Sequence, residues 1–171
     1  MRGFRLRGLT HPRRVWCWRI VAALTIAAMA TFAASASAEP YESDPDLASR
    51  DADYAAAKQA MDQKAWDDAV RLFSRAAVRH PENADLQNYL GFAHRNLKRY
   101  DAALRYYKRA IVLDPRHRGA HEYLGETYLL LGDLAAAQQH LQALRDICLL
   151  PCEQLDDLDR AVRAYREKPA S

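Results

Sequence analysis

The chain has 171 residues, half of them apolar, and its six glycines and seven prolines are too few for a linker or a low-complexity protein. This length allows one domain with a modest core. Residues 1–38 hold six of the 25 basic residues and no acid, so residues 39–171 carry 19 basic against 22 acidic side chains, a net charge of −3 that argues against general binding to nucleic acid or to an anionic membrane.

Residues 1–38 have the three regions of a secretory signal peptide. The cationic stretch MRGFRLRGLTHPRRVWCWR is followed by thirteen largely apolar residues, IVAALTIAAMATF, and then by AASASAEP. A membrane span needs about 20 apolar residues. The apolar run begins only after Arg19 and is shorter than that, so the sequence favours a cleaved peptide over an uncleaved anchor. Ala36 and Ala38 are small enough for signal peptidase, so we expect cleavage after Ala38 and no stable membrane anchor afterwards. The arginine pair in PRRVWCW leaves twin-arginine export as an alternative route.

The cysteines are consistent with an exported protein. Cys17 precedes the apolar run and would leave with the signal peptide, whereas a mature chain from Glu39 keeps Cys148 and Cys152. An even number of cysteines suits a compartment where disulfides persist. We expect that compartment to be the bacterial periplasm, although a eukaryotic secretory route also fits the sequence.

After a polar lead-in the chain repeats itself. Residues 39–49, EPYESDPDLAS, contain two prolines and are predicted to be disordered. Beyond them, landmark residues recur at intervals of 34. The matching sets are Ala57, Gly91 and Gly125; Ala69, Ala103 and Ala137; Trp66, Tyr100 and Leu134; Phe73, Tyr107 and Leu141; Ala76, Ala110 and Leu144; and Pro81 and Pro115.

This pattern resembles the tetratricopeptide repeat (TPR) family. Its small residues lie where the two antiparallel helices of one repeat cross closely, its large residues fill the space between successive pairs, and its prolines end the second helix. The resemblance implies an all-α, right-handed α-solenoid of about three helix-turn-helix units. Residues 50–150 would form repeats at 50–83, 84–117 and 118–150. The third repeat lacks the closing proline, so its second helix is expected to run on toward Cys148.

Seven helices are predicted, the last of which reads as a cap. The ranges are about 51–63, 67–79, 85–97, 101–113, 119–131, 135–148 and 152–167. In the seventh helix, Leu155, Leu158, Val162 and Tyr165 share one face, while Asp156, Asp157, Arg160, Arg163 and Glu167 are expected on the other. A polar outer face is what the terminal cap of a solenoid requires. Residues 151–171 are therefore interpreted as a capping helix and tail.

The stretch CLLPC admits three interpretations. Pro151 cannot continue the sixth helix but suits the first turn of the seventh, so a turn there can bring Cys148 and Cys152 to disulfide distance. We expect a structural disulfide that holds the cap. A soft-metal site, such as copper on two thiolates, is an alternative, but His140 lies two helical turns from Cys148 and no third ligand is near. A thiol-exchange site is the other alternative, although the spacing is one residue longer than in thioredoxin.

The sequence contains no catalytic motif that we can identify. Phosphate-loop, zinc-protease and serine-elbow patterns are missing. His117 and His121 have a ligand spacing, but DPRHRG places His117 in a loop before the helix. We read the histidines as structural or solvated, and the basic residues near Arg95 and Arg105 as a solvated face. No catalytic residue, cofactor or metal site is expected.

The family resemblance implies a concave groove instead. In tetratricopeptide arrays the first helix of each repeat lines a groove that binds extended or helical peptides. An ordinary solvated helix surface is the alternative, and Asn88 with Arg95 suggests the family's carboxylate clamp only in part. The residues expected to face inward are Tyr54, Lys58 and Met61; Asn88, Phe92, Arg95 and Asn96; and Glu122, Glu126, Leu129 and Leu130.

These interpretations give two candidate functions. The favoured one is a non-enzymatic, exported scaffold or adaptor that binds a protein or peptide partner, with no role in nucleic-acid binding. Phe92 would be its aromatic anchor, and Arg95 would pair with an acidic group of the partner. The alternative is a periplasmic redox or copper-handling protein that uses Cys148 and Cys152.

Overall fold

The computed structural model describes residues 50–168, which form helices joined by short turns. The helices are α1 (Ala52–Asp62), α2 (Trp66–Arg79), α3 (Ala84–Asn96), α4 (Tyr100–Leu113), α5 (Arg118–Leu130), α6 (Leu134–Ile147) and α7 (Glu153–Glu167). Every helix end lies within one residue of its predicted position, and no strand occurs among these residues, so the all-α solenoid is confirmed. The signal peptide, its cleavage site and the lead-in lie outside the described residues.

Side chains cap four of the helices at their amino ends. A helix leaves its first backbone N–H groups without partners, and a short polar side chain before it accepts from them. Asp51 accepts from two backbone N–H groups of α1, and Asn83 accepts from the N–H of Leu86 at 2.8 Å. His117 does the same for α5 through Nδ1, and Asp133 for α6. The expectation that His117 precedes its helix is confirmed.

The turn inside each helical pair has the same backbone shape in all three repeats. Lys64, Lys98 and Gly132 lie 34 residues apart, and their φ angles are 58°, 58° and 83°. These angles are left-handed, a region that glycine enters freely and that a lysine enters at a cost. Glycine, which suits this conformation, occupies the third turn, whereas a lysine adopts it in each of the first two.

Small residues let the helices of each pair cross closely. Ala69, Ala103 and Ala137 are fully buried. At Gly91 a Cβ would lie 2.6 Å from two atoms of the fully buried Tyr107 ring, so glycine is needed for this aromatic to fill its place. Among the described residues, no helix combines the length and apolar character that crossing a membrane would require.

The α7 helix packs across α5 and α6. Leu158 and Val162 are buried against Leu141 and Leu144 of α6, in one apolar cluster. Leu158 also lies over Gly125 of α5. The predicted cap is thus present. The helix also leans toward α5, so that the charge of Asp157 acts on Glu122.

At the other end of the array, Asp51 joins α1 to α2. Its carboxylate accepts from the Arg79 guanidinium at 2.7 and 3.0 Å and lies 3.1 Å from Nε2 of His80. Asp53 binds both Arg75 and Arg79. Hydrogen bonds from Arg79, followed by those from the backbone of α1, lower the pKa of the Asp51 carboxyl to about 2. The start of α1 is therefore tied to the end of α2 by an ionised carboxylate.

Candidate functional site

The first helices of the three repeats, α1, α3 and α5, place equivalent residues side by side. At three successive positions these are Tyr54, Asn88 and Glu122; Lys58, Phe92 and Glu126; and Met61, Arg95 and Leu129. We call this surface the groove. The sequence predicted these residues as one set. The structure shows that these side chains differ in their exposure and in the contacts they already make within the chain.

The groove contains a cavity at the carboxyl ends of α3 and α5. The cavity has a volume of about 200 Å³, and α7 supplies its third wall. Leu130 is 56% exposed at its edge. The involvement of α7 was not predicted, since the sequence shows that a cap helix is present but not how far it leans. The lining residues are Arg95, Glu126, Leu129, Leu130, Ala161, Ala164, Tyr165 and Lys168.

Arg95 forms an ion pair within the chain. Its Nη2 lies 2.8 Å from Oε2 of Glu126, and the two side chains are 21% and 24% exposed. The expectation that Arg95 is available for an acidic partner is therefore corrected, because the adjacent repeat already supplies its carboxylate. The pair links α3 to α5 at the wall of the cavity.

Phe92 is packed between repeats. Its ring centroid lies 5.8 Å from that of Trp66 in α2 and 5.0 Å from that of Tyr123 in α5. Such edge and tilted contacts stabilise aromatic pairs. The half-buried ring holds the first and third repeats against the second, and its role as an aromatic anchor for a partner stays a prediction.

The first repeat contributes an aromatic and cationic wall. Tyr54 makes edge contacts with Phe73 at 5.8 Å and with Tyr89 at 6.1 Å, and Lys58 places Nζ 4.1 Å above the Tyr89 ring. Met61 is half-buried against the same cluster. The second repeat adds Asn96, which is exposed and donates from Nδ2 to the Phe92 carbonyl at 2.9 Å.

Glu122 and Asn88, at the centre of the groove, are buried but poorly satisfied. They are 7% and 5% exposed, and Asn88 Oδ1 has no hydrogen-bond partner among the described residues. Within the same range the Glu122 carboxyl makes no hydrogen bond or ion pair. Burial, followed by the charges of Glu126, Asp157 and Glu153, raises the pKa of Glu122 to about 7, and Arg95 opposes this shift. Asp157, predicted on the outer face of the cap, is half-buried: it pairs with the exposed Arg160 at 2.7 Å, and its charge also acts on Glu122.

A second cavity lies at the amino ends of α3, α5 and α7. Its volume is about 350 Å³. His117 Nε2 lies 3.0 Å from Oδ1 of Asp85, and a Cβ on Gly119 would lie 3.3 Å from Asn88 Nδ2. Because Gly119 lines this cavity, the Asn88 amide lies beside it. The lining residues are Asp85, Asp114, Arg116, His117, Arg118, Gly119 and Gln154.

Sequence reasoning missed a pair of histidines. His121 and His140 place their Nδ1 atoms 3.1 Å apart, and His121 Nε2 lies 3.1 Å from the Pro115 carbonyl, to which it donates. His121 Nδ1 is then the acceptor and His140 Nδ1–H the donor. Burial lowers the pKa of both, that of His140 to about 4. Their separation of 19 residues across two helices matches no ligand motif, which is why the sequence did not reveal the pair.

The two cysteines meet in the turn between α6 and α7. Their Sγ atoms are 2.02 Å apart, at the distance of a disulfide bond. The two leucines between them are among the most exposed large apolar residues of the described chain, Leu149 at 87% and Leu150 at 79%. The described residues contain no group of three or more His, Cys, Asp or Glu side chains placed to hold a metal ion.

The comparisons with known proteins agree with this geometry. A tetratricopeptide repeat family model matches residues 54–116 and 93–148. No curated protein matches the chain by sequence. The TPR2B domain of yeast Sti1, in a complex with pHsp70, is 19% identical over 71% of this chain and 97% of that one, with a TM-score of 0.64.

Two further solved structures are similar. The type III secretion translocator chaperone SycD of Yersinia enterocolitica is 20% identical over 67% of this chain and 81% of that one, with a TM-score of 0.63. The first TPR of Spaghetti (RPAP3), bound to the HSP90 peptide SRMEEVD, is 17% identical over 68% of this chain and 94% of that one, with a TM-score of 0.60. At these identities the likeness shows a common fold.

Proposed function

Because this chain belongs to the tetratricopeptide repeat family, we propose that it is a non-enzymatic scaffold or adaptor that binds a segment of another protein in its groove. The cavity of about 200 Å³ at the carboxyl ends of α3 and α5 is the observation that carries this proposal. Leucine side chains form part of its wall, and the Arg95–Glu126 ion pair gives it a polar side. An apolar hollow with a few fixed polar groups is the usual form of a binding site.

Proteins of the same fold support this interpretation. Spaghetti (RPAP3) is bound to an HSP90 peptide, and SycD is in complex with a peptide of the translocator YopD. A groove built from the first helices of successive repeats can hold such a segment without moving its backbone, since each helix is fixed by its own partner. The proposal for this chain is accordingly a protein or peptide partner, and not a nucleic acid.

We propose further that the protein is exported, with the bacterial periplasm as its compartment. The support is the cationic, apolar and small-residue sequence of residues 1–38 and the two cysteines left in the mature chain. Amino-terminal sequencing of the exported protein should begin at Glu39. A full-length amino terminus in the membrane fraction would show that the segment is retained as an anchor.

A site-specific crosslinker tests the groove. A photoreactive phenylalanine derivative at Leu130, 56% exposed beside the cavity, should capture a discrete partner in the native cell. Val112 of α4, 69% exposed and outside the cavity lining, is the matched control and should capture none. Equal capture from both positions would mean that the groove is not the binding surface.

A further inference from the structure

The centre of the groove offers a buried hydrogen-bond acceptor that has no donor among the described residues, Asn88 Oδ1. Glu122 and Asn88 occupy equivalent positions in adjacent repeats, and each is more than nine-tenths buried. The Asn88 amide lies against Gly119, which is three residues before Glu122 and therefore on the same face of α5. A buried acceptor without a donor costs about 1–3 kcal/mol. This arrangement therefore favours a ligand that brings donors.

The charges around Glu122 are mostly of one sign. Glu126 lies one turn along α5, and α7 contributes Glu153 and Asp157. Arg95 of α3 is the one cation among the groups that act on the Glu122 carboxyl, and its guanidinium is already bound to Glu126. With every carboxyl ionised there are four negative charges; Arg95 pairs with Glu126 and Arg160 of α7 pairs with Asp157 at 2.7 Å, so a net charge of −2 remains. An acidic ligand would be repelled here, whereas a cation would be attracted.

We propose that this part of the groove, where α3 and α7 flank α5, binds a lysine or arginine side chain of the partner, which donates to Glu122 and Asn88. The inference rests on the proposed function and specifies its ligand. A side chain fits better than a metal ion, because no group of three or more His, Cys, Asp or Glu side chains in the described chain is placed to share an ion. An ammonium or guanidinium group supplies several donors on a long apolar stem.

The protonation of Glu122 makes the proposal measurable. Because the pKa of the free carboxyl is raised to about 7, the free groove holds a mixture of neutral and ionised Glu122 near neutral pH. A cationic ligand favours the ionised form and releases the proton. Binding should therefore tighten as pH rises from about 6 to about 8, provided that the ligand itself keeps its charge, as lysine and arginine do.

A selection on the full chain tests the inference. Peptides from a phage-displayed random library are selected on the wild-type chain, and one enriched sequence is synthesised with its lysine or with norleucine, which keeps the stem and removes the charge. Norleucine should weaken binding to the wild type at least tenfold and binding to Glu122→Gln less than twofold. Asp101→Asn, which removes one charge from an exposed position of α4, should behave as wild type.

The outcomes separate the two proposals. Enrichment of acidic or purely apolar peptides that block crosslinking from Leu130 would overturn the basic ligand but keep the groove as the binding surface. A Glu122-dependent rise in thermal stability with calcium alone would overturn it in favour of a metal ion. If no peptide is enriched on the full chain, both proposals are contradicted.

Discussion

Leu158 of α7 packs directly onto Gly125 of α5: a Cβ at position 125 would lie 2.6 Å from Cδ2 and 2.8 Å from Cδ1 of the leucine. In the second repeat the equivalent Gly91 accommodates Tyr107 of its own pair. The same glycine position therefore serves a different neighbour in the third repeat. The fit between α5 and the cap depends on one missing methyl group.

The first expected outcome concerns this fit. Gly125→Ala should lower the free energy of unfolding by about 1–3 kcal/mol, because overpacking against the fully buried Leu158 outweighs the better helix propensity of alanine. Urea denaturation measures the change. The double variant Gly125→Ala, Leu158→Ala should lose less than the sum of the single losses, since the space is restored. Stabilisation by Gly125→Ala alone would mean that α7 is not held as described.

The second concerns Asp51, whose side chain is 3% exposed beside Arg79. Asp51→Asn should cost about 1–2 kcal/mol, since the helix cap is retained but its charged bonds to a half-exposed arginine are lost. The folded pKa of about 2 lies below the ordinary aspartate value of 3.8, so the contribution is present above about pH 4 and lost as pH falls toward 2. Acid titrations followed by circular dichroism should show this difference between wild type and variant. Asp68→Asn, at an exposed pair, is the control and should change stability little.

The third concerns Glu122, for which the sign is opposite. Its folded pKa of about 7 lies above the ordinary glutamate value of 4.5, so the folded state holds the proton more tightly. Stability should fall as pH rises from about 4.5 to about 7, and Glu122→Gln should remove this part of the pH dependence. Unfolding midpoints measured across that range test it. Parallel curves for wild type and variant would show that Glu122 has an ordinary pKa.

The fourth concerns Cys148 and Cys152. The mature protein isolated without reductant should have an intact mass two hydrogens below that of the reduced form. Because the closed loop is very short, the bond should stabilise the fold by at most about 2 kcal/mol through chain entropy. Two freely alkylated thiols in that preparation would contradict the pairing.

The fifth concerns Phe92. Since its ring packs between Trp66 and Tyr123, Phe92→Ala should lower the free energy of unfolding by about 2–3 kcal/mol, below the range for a fully buried phenylalanine. Phe92→Leu should cost less. Arg163→Ala, on the exposed side of α7, is a control whose effect should stay within about 0.5 kcal/mol. A wild-type stability for Phe92→Ala would mean that the ring is free, as the sequence first indicated.

The helices could be predicted because each repeat position has its own physical task. A close helix crossing needs Ala69 or Ala103, and a helix end is marked by Pro81 or Pro115. The period of 34 residues therefore predicts the ends of the first six helices to within one residue. The groove could be predicted only as a set of positions, since the spacing indicates a shared face but not which side chains are already engaged.

The remaining errors have one cause. Arg95 pairs with Glu126, and Asp157 faces Glu122, because of how far neighbouring helices lean toward one another. The lean of α7 toward α5 depends on the contacts of Leu158 with Gly125, between residues 33 apart, whereas the Arg95–Glu126 pair depends on the packing of α3 against α5. No local sequence pattern encodes either arrangement. Helical periodicity alone predicted Asp157 on the outer face of α7. Periodicity does not show that α7 packs against both α5 and α6.

The charged surface of α7 also bears on assembly between copies. Stacked repeats present an apolar side to the next repeat, so two copies that met head to tail could propagate into a filament, as heterologous contacts do when they fail to close. In this chain α7 covers the end of the array with the exposed side chains of Asp156, Arg160, Arg163 and Glu167. Desolvating four charged groups is costly. We therefore expect the helix that shapes the groove to oppose head-to-tail polymer growth at that end.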